Sequence, residues 1–327
     1  MAARTTDRTA GRGTGRVTVL APSPELRVLV EPAPDGTTEI HLHTGGQGAW
    51  VGRMARTLGA DVELCLPLGG ESGVALRALL EAEGLRLSVV DIGADTTTVV
   101  LDHRGERDET DAESGDRVAD APSALTRHEV DDLVTAVLTS ALAGDVVVLA
   151  GSQPADLLPA DVYERLARDL RAQGLVVVAD LSGAQLDAAL AGGVDVLKVA
   201  HDELPGEEVA PDDVDALRAA ARALQERGAR SVVVTCSSEP GLLVTEDGAA
   251  HRLRAPDVTP AQKRGSGDAL CGAVAARLAQ GADLLDAVRT ATAAGVVSVA
   301  RQGHGTGDRA AVEAFAERIE VEVEALG

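Results

Sequence analysis

The chain has few aromatic residues and few cysteines. Of its 327 residues, only Trp50, Tyr163 and Phe315 are aromatic, although 45% of the chain is hydrophobic. The core must therefore be built from Val, Leu and Ala, and the chain is long enough to bury a substantial one. The three cysteines are far apart and form no Cys-x-x-Cys pair. This spacing argues against a disulfide scaffold and against a zinc site.

Positive charge is also scarce. The formal net charge of −22 at pH 7 argues against nonspecific binding to nucleic acid or to an anionic membrane, because both need basic surfaces. No apolar stretch approaches the roughly 20 residues that span a bilayer. Residues 1–16 are rich in Arg, Thr and Gly and lack the apolar segment of a signal peptide. We therefore expect a disordered leader over residues 1–16 and a cytoplasmic protein.

Strands and helices alternate from about residue 145. Buried strands are predicted in GDVVVLAGS, LVVVAD, VDVLKVA and SVVVTC, with amphipathic helices such as PADVYERLARDLRAQG between them. Strands that are apolar on both faces predict a parallel sheet with helices on both sides. Ligands bind such sheets beyond the carboxyl ends of the strands. The polar residues predicted at that edge are Ser152, Gln153, Asp180, Ser182, Lys198, Glu203, Thr235 and Ser237.

The first third of the chain has a different pattern. TTEIHLHTGG alternates polar and apolar residues, and TTTVVLDHRGER resembles one arm of a hairpin. We expect residues 27–43 and 95–108 to form a small sheet that projects from the main domain. The charged segment ETDAESGDRVAD, residues 109–120, is interpreted as a solvated loop, and the charge run over residues 106–120 as solvated surface. His41 and His43 share one face of the predicted strand. They would need a third ligand to bind a metal, so an exposed sheet face is the preferred interpretation.

The segment QKRGSGDALCGAVAARLAQG, residues 262–281, predicts a chemical site. Gly265, Ser266 and Gly267 precede a predicted helix. The first N–H groups of a helix lack internal partners and carry partial positive charge, so they attract anions. Asp268 could then take a proton from a hydroxyl while these N–H groups hold a phosphoryl group in transfer. The alternative is that Asp268 only caps the helix.

Two separated motifs resemble the ribokinase-like (PfkB) sugar kinases, particularly the phosphofructokinase and tagatose-phosphate kinase branch. TGGQGAWVGRMARTLGADVELCLPLGGESG resembles the family's GG-x-G-x-N-x-A helix with the strand and Gly-rich turn that follow, and RGSGDALCGAVAARLAQG resembles its G-A-G-D-x-F-x-x-G motif. The resemblance runs from about residue 17 to 315. It implies an α/β fold of three αβα layers with a mostly parallel central sheet and a small projecting β lid. Residues 17–327 would form a single kinase domain.

The resemblance also implies a reaction, the transfer of the γ-phosphoryl group of ATP to a sugar or sugar-phosphate hydroxyl, assisted by Mg²⁺. Asp268 would be the base, and Gly265, Ser266 and Gly267 would line the anion hole. The implied acceptor site consists of Glu25, Gly45, Gly46, Gln47 and Trp50. The implied nucleotide site consists of Lys198, Glu203, Thr235, Ser237, Gly241 and Lys263, with Glu203 also near Mg²⁺. Pairing of two lid sheets would give a homodimer.

Departures from the family pattern leave the acceptor open. Gln47 and Trp50 replace a Lys and an Asn of the phosphosugar branch, and Thr97 stands where its lid carries Arg. Losing two cations would cost a phosphorylated acceptor several kcal/mol, since charge-assisted hydrogen bonds contribute about 1.5–3 kcal/mol each. A neutral sugar or nucleoside, or a noncatalytic sugar or nucleotide sensor, are the alternatives. Arg27 or Arg53 pointing at the site would favour the phosphosugar, and an apolar pocket around Trp50 would favour the neutral acceptor.

Overall fold

A computed structural model describes residues 14–105, 114–206, 208–262, 265–301 and 303–324. Residues 1–13 of the predicted leader and Lys263 of the predicted nucleotide site lie outside the described residues. Within the described part of the chain, no helix is both long enough and apolar enough to cross a membrane.

A ten-stranded sheet forms the centre of the molecule. Its strand order is β14-β13-β12-β11-β10-β9-β8-β1-β4-β5. The strands from β11 to β5 pair in parallel, as predicted, whereas β12, β13 and β14 extend one edge with antiparallel pairs that the sequence analysis did not predict. The bounds are β1 Arg16–Leu20, β4 Asp61–Leu68, β5 Arg86–Asp91, β8 Val146–Ala150, β9 Val176–Asp180, β10 Val194–Ala200, β11 Ala229–Cys236, β12 Glu239–Val244, β13 Ala250–Arg254 and β14 Glu320–Glu324.

Helices cover both faces of this sheet, because successive strand residues point to opposite sides. In β8, Val146 and Val148 pack on one side, while Val147 and Leu149 pack on the other. The first side is covered by α1 Gln47–Thr57, α2 Gly70–Ala82, α7 Ser266–Ala279, α8 Leu284–Val299 and α9 Arg309–Ala316. The second side is covered by α3 Arg127–Ala141, α4 Ala160–Ala172, α5 Gly183–Gly192 and α6 Val214–Glu226. The predicted three-layer αβα fold is therefore confirmed.

A second, four-stranded sheet has the order β3-β2-β6-β7. Its strands are β2 Glu25–Pro32, β3 Thr38–Gly45, β6 Thr97–Asp102 and β7 Asp116–Ala119. The first three strands lie where the small sheet was predicted. The prediction of a loop over residues 109–120 is wrong for β7, which pairs antiparallel with β6, although most residues of β7 are exposed as predicted. Residues 106–113 lie outside the described residues.

Candidate active site

A buried ion pair lies at the carboxyl edge of the central sheet. Asp180 ends β9 and stands in register with Lys198 of β10. The Lys198 Nζ atom lies 3.0 Å from Asp180 Oδ1, and both side chains are buried. Asp180 Oδ2 is buried and has no hydrogen-bond partner among the described residues. Lys198, the predicted phosphate contact, is therefore ion-paired with one oxygen of the Asp180 carboxylate. The other carboxylate oxygen has no partner among the described residues.

Helix α7 begins beside this ion pair. Gly265 precedes the helix with φ of 90°, a left-handed conformation that favours glycine. Gly265 has no side chain that could cap the first N–H groups of α7, which begins at Ser266. A Cβ atom on Gly267 would lie only 2.7 Å from Lys198 Nζ. The ammonium group and the positive helix terminus therefore meet at one point, as an anion site requires.

Asp268 lies in the first turn of α7 and is only half-buried. Burial and the neighbouring carboxylate of Asp180 raise the pKa of Asp268 to about 7, although Lys198 and a hydrogen bond with Gln47 act in the opposite direction. A carboxyl group with a pKa near neutrality has the proton affinity expected of a general base. The structure therefore places Asp268 at the mouth of the helix, next to the anion site.

The charge of Lys198 is maintained despite its burial. Burial opposes the charged form, but the carboxylates of Asp180, Asp268 and Glu203 outweigh it and raise the pKa of Lys198. Lys198 therefore stays protonated and can face a phosphate. A phosphate contact and a structural ion pair with a carboxylate are therefore compatible roles for Lys198 in this geometry.

Gln47 connects the base to the central sheet. The backbone N–H of Gly151 donates a hydrogen bond of 2.7 Å to Gln47 Oε1. Of the two amide atoms only the nitrogen can donate, so the Gln47 NH₂ group is the one that favours the ionised form of Asp268 and lowers its pKa. Gln47 is therefore placed to orient the carboxyl group of Asp268. Sequence reasoning proposed it as an acceptor contact and missed this role, which depends on a loop about 100 residues away.

The predicted acceptor residues Glu25, Gly45 and Gly46 come together where the lid sheet joins the main domain. Glu25 stands in register with Gly45 of β3 and with Thr97 of β6. Gly46 has φ of 94°, and a Cβ atom there would lie 2.3 Å from the carbonyl oxygen of Ser23. The glycine at position 46 is thus required by the backbone itself, whether or not a sugar approaches it.

Of the two arginines considered as phosphate ligands, Arg27 reaches the acceptor residues. It is 7% exposed, its side chain lies against Gly45, and its Nε atom is 3.2 Å from Glu25 Oε2. Its guanidinium carbon lies 5.1 Å from the centre of the Trp50 ring. Arg53 instead pairs with both carboxylate oxygens of Glu83 at 2.8 and 2.9 Å.

His304 connects Trp50 to the start of α7, because it contacts both Trp50 and Gly265. The two rings stack with centroids 4.3 Å apart at 26°, and a Cβ atom on Gly265 would lie 2.9 Å from His304 Cδ2. The surroundings of Trp50 are therefore polar and cationic, in contrast to the apolar pocket that would have favoured a neutral acceptor. Sequence reasoning did not link His304 with Trp50, since a single His in a Gly-rich loop carries no pattern that predicts this contact.

The predicted nucleotide residues lie along the neighbouring strands. Glu203 ends a short 3₁₀ helix, His201–Glu203, and accepts a hydrogen bond of 3.0 Å from the backbone N–H of Ala200. Thr235 stands in register with Ala200. Ser237 occupies the turn after β11 with φ of 50°, whereas Gly241 lies inside β12. The segment 235–241 is therefore a tight hairpin.

The start of α7, the buried Lys198 and the carboxyl group of Asp268 lie together, an arrangement that suits phosphoryl transfer to an alcohol. The sequence profile of the pfkB family carbohydrate kinases matches residues 21–310. The chain therefore belongs to the pfkB family of carbohydrate kinases. It is an ATP-dependent phosphotransferase with a carbohydrate acceptor, which argues against the sensor alternative.

Individual relatives agree with this assignment. The chain is 31% identical over 309 residues to ATP-dependent 6-phosphofructokinase isozyme 2 of Mycobacterium tuberculosis strain H37Rv, covering 89% of this chain and 88% of the relative. It is 27% identical over 266 residues to 1-phosphofructokinase of Bacillus subtilis, covering 81% and 84%. The crystal structure of phosphofructokinase-2 from Escherichia coli with potassium aligns with a TM-score of 0.77 and 25% identity, covering 93% of this chain and 99% of that structure.

Proposed function

We propose that this kinase transfers the γ-phosphoryl group of ATP to a hydroxyl of a hexose phosphate of the fructose-phosphate or tagatose-phosphate type. The placement of Asp268 beside Lys198 and the start of α7 carries the proposal. The names of the relatives and the position of Arg27 against Gly45 support a phosphorylated acceptor.

In the proposed reaction, the acceptor hydroxyl lies between Asp268 and the γ-phosphorus of ATP. Asp268 accepts the hydroxyl proton as the new oxygen–phosphorus bond forms, and the bond to the leaving ADP oxygen breaks. The N–H groups from Gly265 to Gly267, together with Lys198, stabilise the charge on the transferred group. Glu25 and the backbone at Gly45 would hold the sugar hydroxyls.

We further propose that Glu203 and Asp180 hold Mg²⁺ together with ATP phosphate oxygens. The described residues contain no group of three His, Cys, Asp or Glu side chains that could hold a metal. This agrees with an ion that binds through one or two carboxylates and substrate phosphates. Asp180 Oδ2, which is buried without a partner, is chemically suited to this role. The bound ion would neutralise charge on the phosphates. Thr235, Ser237, Gly241 and Lys263 remain proposed nucleotide contacts.

The test is ATP consumption with a panel of sugars and sugar phosphates, comparing the parent with Asp268→Asn. We expect a hexose phosphate to be the preferred acceptor. Loss of the base should lower kcat about 10²–10⁴-fold, while ATP binding, measured by calorimetry, persists. If the variant retains the parental kcat, Asp268 is not the base. If only unphosphorylated sugars or nucleosides are turned over, the acceptor assignment is wrong.

Residues of the outer lid face support the proposed homodimer. Leu42, Val28, Val100 and Val118 stand in register across all four strands. Leu42 is 50% exposed and Val118 is 69% exposed. A contiguous apolar face of this kind is typical of a protein–protein interface. We propose that the lid sheets of two copies pair through it.

The proposed cytoplasmic location is supported by the cysteines. Cys65, Cys236 and Cys271 are all buried and free. Free thiols persist most readily in a reducing compartment.

A further inference from the structure

The guanidinium group of Arg53 joins four segments of the chain. Arg53 lies on α1, and its Nε and Nη2 atoms donate to the two carboxylate oxygens of Glu83 at 2.9 and 2.8 Å. Glu83 directly follows α2. Nη2 also donates to the hydroxyl of Thr44 on the lid strand β3, and Nη1 donates to the backbone carbonyl of His304. One planar group therefore fixes α1, the end of α2, the lid sheet and the loop 303–306 relative to one another.

These contacts depend on the shape of the guanidinium more than on its charge. The Thr44 hydroxyl accepts from Arg53 and donates to Glu83 Oε1 at 2.7 Å, and Thr44 is itself buried. Glu83 compensates the charge of Arg53 through both carboxylate oxygens. A lysine at position 53 would keep the charge but not the set of contacts, because an ammonium is a single point whereas a guanidinium is a planar fork.

The His304 end of this network reaches the start of α7. A Cβ atom on Gly265 would lie 2.9 Å from His304 Cδ2 and 3.3 Å from His304 Cα, so the loop packs directly against the residue that precedes the helix. The loop is also tied to the segment before the helix, because the N–H of Gly303 donates to Gln262 Oε1 at 2.9 Å. The position of loop 303–306 therefore sets the position of the N–H groups that follow Gly265.

The Thr44 end of the network reaches the acceptor residues. Thr44 immediately precedes Gly45 and Gly46, whose backbone is the proposed contact of the sugar. Glu25, the other proposed sugar contact, stands in register with Gly45. Arg53 therefore connects the side of the site that would hold the acceptor with the side that would hold the transferred phosphoryl group.

We propose that Arg53 is a positioning residue of phosphoryl transfer, which holds the lid strand β3 and the start of α7 at a fixed distance from each other. The inference rests on the proposed function and adds a residue whose guanidinium donates to protein groups rather than to a substrate. Transfer depends on this spacing, because a displacement of about 1 Å can lower a rate about 10²-fold. Each substrate is bound mainly on one side of the site, so binding should be affected less than kcat.

Trp50 provides a spectroscopic readout of the network. It is the only tryptophan in the sequence, and its ring stacks on His304 with centroids 4.3 Å apart. The emission of an indole moves to longer wavelength when the ring gains contact with water. Release of the His304 carbonyl by loss of Arg53 should therefore shift the emission maximum of the folded protein.

The test measures kcat and KM for ATP and fructose 6-phosphate in the parent and in Arg53→Lys, together with the Trp50 emission maximum without substrates. We expect kcat to fall about 10-fold or more, both KM values to change less, and the emission to shift to longer wavelength. Arg56→Lys is the matched control, since Arg56 is an exposed residue of the same helix that donates to the backbone carbonyl of Glu83 at 2.8 Å. This control should keep the parental kcat and emission.

A second variant, Thr44→Val, breaks the lid end of the network and leaves the bonds of Arg53 to Glu83 and His304 in place. We expect it to lower kcat while the emission of Trp50 stays parental. Circular dichroism and thermal unfolding verify that each variant is folded at the assay temperature. If Arg53→Lys does not fold, parental kcat in Thr44→Val would overturn the inference.

Parental kcat in folded Arg53→Lys would overturn the inference even if thermal stability falls, because the network would then serve stability alone. An equal fall of kcat in Arg56→Lys would overturn it as well, since the effect would not be specific to the contacts of Arg53. Both results leave the proposed function intact. A parent that phosphorylates no carbohydrate would instead overturn the proposed function, and the inference would fall with it.

Discussion

Asp268 must be ionised to act as a base, and its surroundings oppose ionisation. Burial and Asp180 raise its pKa to about 7, so the active, deprotonated form is lost as the pH falls below that value. We expect kcat/KM to rise with pH through about 7 and, well below it, to fall about tenfold per pH unit. Steady-state rates under saturating ATP provide the measurement, with a stability check at each pH. A rate that is constant down to about pH 5 would contradict a raised pKa.

Gln47 lowers the pKa of Asp268 through a hydrogen bond. Replacing Gln47 with Ala removes a donor that favours the ionised carboxylate, so the acidic limb of the rate profile should move to higher pH. The loss of one hydrogen bond to a charged group predicts a shift of about one pH unit or more. A residue with a purely structural role would lower the rate without moving the profile. Gln173→Ala, on the exposed end of α4, is the control and should leave the profile unchanged.

Close packing of α7 against α1 fixes the distance between the base and Gln47. A Cβ atom on Gly272 would lie 2.3 Å from the carbonyl oxygen of Val51. Neither backbone can yield without moving its helix, so Gly272→Ala should destabilise the protein by about 1–3 kcal/mol. It should also lower kcat, because Asp268 and Gln47 lie on the two displaced helices.

Thermal unfolding and steady-state kinetics would measure both effects of Gly272→Ala. The matched control is Gly93→Ala, because the nearest atom to a Cβ at Gly93 is 4.0 Å away. If Gly272→Ala unfolds at the same temperature as the parent, the two helices can move apart without loss of stability. That result would contradict close packing of α7 against α1 as the constraint on the site.

The elements that could be predicted from sequence are those whose residues alternate or repeat. The four buried strands after residue 145 and helix α7 all lie where their patterns indicated. Strand β7 could not be predicted, because DRVA contains only one large apolar residue and is recognisable only by its pairing with β6. Strand β13 could not be predicted either, because AHRLR also contains only one large apolar residue and is recognisable only by its antiparallel pairing with β12.

The residues of the candidate site also divide into those that could be predicted from sequence and those that could not. Gly265, Ser266, Gly267 and Asp268 are adjacent in sequence, and a glycine-rich entry to a helix is a recognisable pattern. Arg27 and His304 act through contacts with residues far away in the chain. Such contacts are properties of the tertiary structure, and one sequence contains no periodicity that encodes them.

At the scale of the whole molecule, a strongly acidic chain binds an anionic substrate. The net charge is −22, and the sequence contains only two lysines, Lys198 and Lys263. The fold offsets this negative charge locally, because Lys198 lies next to the positive N-terminus of α7. Neighbouring carboxylates raise the pKa of Lys198, so the lysine stays protonated. Overall charge therefore excludes basic-surface functions without excluding a nucleotide site.

The outer face of the lid sheet exposes large apolar side chains that a monomer leaves uncovered. Ile40 is 65% exposed and Val118 is 69% exposed, and covering each would contribute about 1–2 kcal/mol. We expect the protein to be dimeric in analytical ultracentrifugation and Leu42→Asp to shift it to monomer. Leu42 is itself 50% exposed, so the charge should not disturb the monomer's fold, which circular dichroism would verify. Val74→Asp is the control, since Val74 is 73% exposed and belongs to α2, not to a strand of the lid sheet. A dimer that survives Leu42→Asp, or dissociates equally with Val74→Asp, would show that the lid face is not the interface.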